Sequence, residues 1–146
     1  MAYTLQAIIG ESGSFSSTLP QKLHSIALRG GVDMIPLTSE ALACHDILSF
    51  LLAEEAGEEV PPQLLSLCEQ LSTKCSLAYI EAEFFGGAGT QAHAFFSEGK
   101  AVGRAVISEN AINEALRYLG VKRGEAHDEF EAVGLDQHRD TDAWLA

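Results

Sequence analysis

Positive charge is what this chain has least of. Nine Lys and Arg stand against 21 Asp and Glu, a net charge of −12 at pH 7. Proteins that bind nucleic acid neutralise phosphates with Lys and Arg, and here the field repels a polyanion. Nucleic acid is therefore not an expected ligand, and an anionic membrane surface is disfavoured for the same reason. Cysteine is also scarce. Cys44, Cys68 and Cys75 are an odd number with no C-x-x-C spacing, which reads as buried free thiols in apolar helical surroundings. No apolar run approaches the ~18 residues of a membrane span, and the first ten residues lack the cationic start of a signal peptide. The chain is expected to be cytoplasmic.

The familiar signatures of chemistry are missing as well. The glycine-rich stretch at residues 86–90 is followed by Gln91, with no lysine before Lys100, and it leads into a strand where a phosphate loop would open a helix. It reads as a hairpin turn. There is no H-E-x-x-H and no G-x-S-x-G elbow. Neither a cofactor nor a metal is expected on these grounds.

What is present is an ordinary globular composition. The chain has 146 residues, 47% hydrophobic and 21% charged, enough to bury one core, so residues 1–146 are expected to form a single acidic domain. Residues 3–9 alternate in the two-residue period of a strand. Residues 24–28 and 32–37 read as two more strands about Gly30 and Gly31, the later ending at Pro36 or lying at an edge. From Thr38 the period lengthens: Ala41, Cys44, Leu48, Leu51 and Leu52 predict a helix capped by Thr38 or Ser39 and stopped at Gly57. A second helix opens at Pro61 and Pro62, with Leu64, Leu67, Cys68, Leu71 and Cys75 on one face. The acids of residues 54–59 form a solvated turn between them.

Residues 76–85, 91–97 and 101–107 alternate again and predict a three-strand meander, with Ala78, Ile80, Ala82 and Phe84 on the apolar face toward the core and Leu77, Tyr79, Glu81, Glu83 and Phe85 on the other. A third helix follows, capped by Ser108, carrying Ile112, Ala115, Leu116 and Leu119, and ending at Gly120. Residues 121–146 are polar and acidic but hold Phe130, Val133, Leu135, Trp144 and Leu145, anchors that should pack this segment back on the domain. The class expected is α+β, an antiparallel sheet of N-terminal strands plus the meander, packed against about three helices.

Two constellations invite function. Folding the hairpin about Ala88 places Phe85 opposite Gln91, Glu83 opposite His93 and Glu81 opposite Phe95 on one face, so Glu83 and His93 form a candidate acid/base pair. In the tail, His127, Asp128, His138 and Asp140 are candidate ligands for a divalent metal in a hydrolase, although their spacing matches no closed motif. His45, near the apolar face of its helix, reads as a packed histidine.

The run at residues 79–87 with Gly89, Thr90 and Gln91, the segment Ala115, Leu116, Arg117, Tyr118, Leu119, Gly120 and Val121, and the ending from His127 through His138 and Arg139 to Trp144 resemble a family of small bacterial proteins. That resemblance implies no activity. In size and acidity the chain is also similar to bacterial immunity proteins, a likeness of character without shared motifs. The function expected is non-enzymatic binding of a basic protein partner, of immunity type, since negative potential speeds encounter with cationic surfaces. Glu81, Glu83 and His93 on the sheet, and Asp128, Glu129, Glu131 and Asp136 in the tail, are the candidate contacts. The alternatives are the hydrolase above and a structural subunit that pairs through an exposed sheet edge. The sequence leaves the oligomeric state open.

Overall fold

The computed structural model describes residues 2–15, 18–47, 60–85 and 88–145. Their backbone is an α+β fold built on one six-stranded antiparallel sheet. The strands are β1 (Ala2–Glu11), β2 (Ile26–Ala27), β3 (Val32–Pro36), β4 (Ser76–Phe85), β5 (Ala88–Ser97) and β6 (Lys100–Ser108), in the order β2-β3-β1-β4-β5-β6. Every connection along β4, β5 and β6 is a hairpin, as the alternation predicts. β3 ends at Pro36, where the backbone N–H needed for a further rung is missing.

Four α-helices join the sheet: α1 (Ser39–Cys44), α2 (Pro62–Leu71), α3 (Ala111–Tyr118) and α4 (Glu129–Val133). Thr38 caps α1 by accepting from the Ala41 amide at 3.2 Å. The helix then stops well before Gly57, because Asp46 turns to a positive φ of 56° after His45. The rest of the expected helix, with Leu48, Leu51 and Leu52, and the acidic turn at 54–59 lie outside the described residues. His45 closes α1 and places Nε2 2.7 Å from the Gln21 carbonyl. All three cysteines are free, and Cys44 is exposed, contrary to the expectation of buried thiols.

Helices cover both faces of the sheet, which makes three layers. Tyr3, Leu5, Ala7, Ile9, Met34, Ala78, Ile80 and Ala82 point to one face and pack against Ile112, Ala115 and Leu116 of α3, with Val133 and Leu135 from the tail. Ile8, Ile35, Leu77, Tyr79, Ala92, Ala94 and Phe96 point to the other face, against Ala41 of α1 and Leu64, Leu67 and Cys68 of α2. Both faces of β4 are therefore core, where one apolar and one polar face were expected. The tail runs through α4 and two 3-10 turns, Leu135–Gln137 and Thr141–Leu145. Tyr3 donates to the Leu135 carbonyl at 2.8 Å, and the Thr4 amide to the Arg139 carbonyl at 2.8 Å.

The β4–β5 register corrects the expected one. Phe85 pairs with Ala88, and from there Glu83 stands opposite Thr90, Glu81 opposite Ala92 and Ile80 opposite His93. The strands close two residues apart and do not fold about Ala88. The shift is odd, and side chains alternate with a period of two, so it exchanges the faces of β5 relative to β4. Glu81 and Glu83 share the α1/α2 face, while Gln91, His93 and Phe95 share the α3 face.

Candidate functional site

The α3 face of β5 carries a ladder of rings. His93 stacks on Phe95 with centroids 4.4 Å apart, and Phe95 on Tyr118 of α3 at 4.0 Å. α3 is held over β5 by its own start. Gln91 Oε1 accepts from the Ile112 amide at 2.8 Å, a side-chain cap supplied by the neighbouring strand. Ser108 is not the cap that its composition predicts. Asn110 takes that position, and Ser108 Oγ instead accepts from the Asn110 amide at 3.2 Å.

Because α3 sits over β5 and β4, it leaves β6 largely uncovered. Val102 is 42% exposed, Val106 36%, Ile107 42% and Tyr118 44%, and these are the large hydrophobic side chains exposed among the described residues. Three of the four lie on β6. The fourth rests on Phe95, the residue paired with Val102. Val102, Val106 and Tyr118 lie together on the α3 face and Ile107 on the other, all along a sheet edge whose outer backbone groups have no neighbouring strand among the described residues.

β6 itself is not straight. His93 pairs with Val106 and Phe95 with Val102, so Ala94 faces the three residues 103–105. Gly103, at φ 72°, takes the left-handed turn that this bulge requires. Residues 100–102 and 106–108 form regular ladders on either side of it.

The residues singled out for acid/base chemistry are separated. His93 is buried and its Nε2 approaches Glu114 Oε1 at 3.5 Å, on the opposite side of the sheet from Glu83. Burial pulls the His93 pKa below its ordinary value, and the Glu114 carboxylate only partly opposes that. Glu81 is 2% exposed and accepts a hydrogen bond from the Tyr79 hydroxyl at 2.6 Å. Desolvation first, and the Glu81 carboxylate second, push the Tyr79 phenol well above its usual range. Glu83 is exposed.

The tail acids are divided between structure and solvent. Asp128 caps α4 through the Glu131 amide at 2.9 Å. Glu129 is buried against Arg117 at 3.2 Å. Glu131 and Asp136 are exposed. His127 sits before α4, whereas His138 meets the Trp144 ring edge-on at 4.6 Å. Among the described residues, no three His, Cys, Asp or Glu side chains converge as a metal site would need. The cleft lined by Lys22, His24, Thr38, Ser39 and Asp142 holds charges that are already matched. Lys22 pairs with Glu40 at 3.1 Å, and Asp142 accepts from the Ser39 amide and hydroxyl at 2.8 Å each.

No family model, curated protein or solved structure matches the chain. The described residues contain no helix long and apolar enough to cross a membrane.

Tyr118, Val102, Val106 and Ile107 were not singled out from the sequence. The signal was there, since residues 100–108 hold two valines and an isoleucine with no acid. Their exposure depends on which strands α3 crosses, and no local pattern encodes that.

Proposed function

We propose that this protein is a protein-binding domain whose contact surface is the β6 edge with the adjoining Tyr118. One observation carries the reading: the exposed large hydrophobic side chains among the described residues gather on that single edge. Scattered apolar residues are normal on any surface, but a contiguous group beside an open strand is a place where another chain adds backbone hydrogen bonds and buries side chains together. The bulge and the charges of Lys100 and Arg104 limit indiscriminate pairing, so the edge favours a partner that fits its two short ladders.

A photoreactive residue at Val106 tests this in the native host, with the same residue at exposed Gln137 as the control. Protein adducts at 106 and none at 137 are the expected result. Adducts at neither position, or at both equally, overturn the edge as the contact surface.

A basic protein partner is the second reading, favoured by the net charge of −12. It would engage exposed carboxylates such as Glu83, Glu131 and Asp136. The exposed acids of the described residues come from β1, α1 and the turn after it, β4, the turns on either side of β6, α3 and the tail, so the charge sets which proteins are drawn in more than where they dock. Binding of this kind weakens steeply with salt, and an association indifferent to ionic strength excludes it.

A further inference from the structure

We infer that the occupant of the β6 edge is a second copy of this chain, paired antiparallel about a two-fold axis at Arg104; the inference rests on the edge reading above. The register follows from the bulge. β6 is two regular three-residue halves, 100–102 and 106–108, on either side of residues 103–105. An antiparallel strand that keeps the same faces inward must pair residues whose numbers sum to an even value. With the axis at Arg104, regular half meets regular half on both sides, and bulge meets bulge in the middle. An axis moved along the strand lays a regular half against a bulge and forfeits ladder hydrogen bonds.

The side chains agree with that register. Val102 comes opposite Val106 of the second copy on the α3 face, beside Tyr118, and Ala101 comes opposite Ile107 on the other face. Each exposed hydrophobic of the strand thus gains an apolar neighbour, twice over by symmetry. The charges are self-complementary in the same direction. Lys100 opens the strand and Glu109 follows its end, both exposed, so antiparallel pairing brings each lysine beside the carboxylate of the other copy. Arg104, on the axis, is engaged within its own chain. Two short ladders and four hydrophobic side chains per copy make a small interface, which implies a reversible dimer and not an obligate one. Two bodies of charge −12 repel, so salt tightens the dimer, the reverse of its effect on a basic partner.

Sedimentation equilibrium of the whole chain over a wide concentration series measures this. The expected result is a concentration-dependent dimer that tightens with NaCl, and that Val106→Lys weakens by about tenfold or more. In a Cys44→Ser background, Arg104→Cys should form a disulfide dimer on mild oxidation. Val102→Cys alone should not, while a mixture of Val102→Cys and Val106→Cys chains should. The cysteine variants read the register whether or not the lysine variant folds. A wild-type chain that stays monomeric throughout overturns the second copy as occupant. A dimer that leaves Arg104→Cys uncrosslinked overturns the axis. If the chain is monomeric yet Val106 still captures a different protein in the host, the edge reading survives and this inference does not.

Discussion

His93 shows most clearly how burial rewrites a residue's chemistry. An imidazole in water is ready to take a proton near pH 6.5; here the buried ring stacks on Phe95 with Nε2 toward Glu114 of α3, and its folded pKa is lowered by desolvation. The unfolded chain therefore holds the proton at pH values where the folded chain does not. Stability contributed by neutral His93 is complete above about pH 6.5, and it is lost as the pH falls from there toward the folded pKa. His93→Phe keeps the ring stack and removes the titration. Urea midpoints measured between about pH 7 and about pH 5.5, above the range where carboxylates dominate, should fall for the wild type and stay nearly level for the variant. Equal slopes would mean that His93 is not the group responsible.

At the scale of elements, α3 and α4 are joined by the Arg117–Glu129 pair and by the side chain of Asn113. Asn113, nearly buried, donates to Asn110 Oδ1 at 2.9 Å and to Asp128 Oδ2 at 3.3 Å, and accepts from the Phe130 amide at 2.9 Å. Asn113→Ala leaves the Phe130 amide without that partner and should cost about 1–3 kcal/mol by urea denaturation. Amide exchange at residues 128–133 should rise more than exchange in β1. Uniform exchange across the chain would show that α4 does not open separately.

The same elements show what the sequence could convey. Strands were legible because alternation is a local property: residues 3–9, 76–85 and 101–107 all lie within observed strands. The register between β4 and β5 was not. A run of four glycines and alanines, then Thr90, accommodates a turn of two residues or of five, and only the packing of both faces decides between them. Ile8 and Tyr79, apolar where the alternation puts them on the face away from the expected core, were the sign that the sheet is covered twice. The candidate Glu83 and His93 pair failed with the register, and Gln91 and Asn113 were missed because each acts across elements distant in sequence. The tail was legible as a packed segment from Phe130, Leu135 and Trp144, but which of its acids would be capping groups depends on where α4 begins.

For the molecule as a whole, the charge of −12 works against the fold that carries it. Among the described residues the opposite charges meet at few places, Lys22 with Glu40 and Arg117 with Glu129 among them, and the Lys22 pair is too exposed to contribute much. Most carboxylates of the described residues face water, and the repulsion among them is relieved when the chain expands. Salt screens that repulsion: the screening length shortens from ~30 Å at 0.01 M to ~8 Å at 0.15 M, while pairs in contact feel the change less. Raising NaCl over that range at neutral pH should therefore raise the thermal midpoint. Measured at low protein concentration, where self-association does not add to it, the rise should shrink as the pH is lowered toward the pI of about 4.6 and the repulsion disappears. A midpoint that falls with salt at neutral pH would mean that local ion pairs outweigh the net field, and the expectation that salt tightens a dimer across β6 would lose its basis with it.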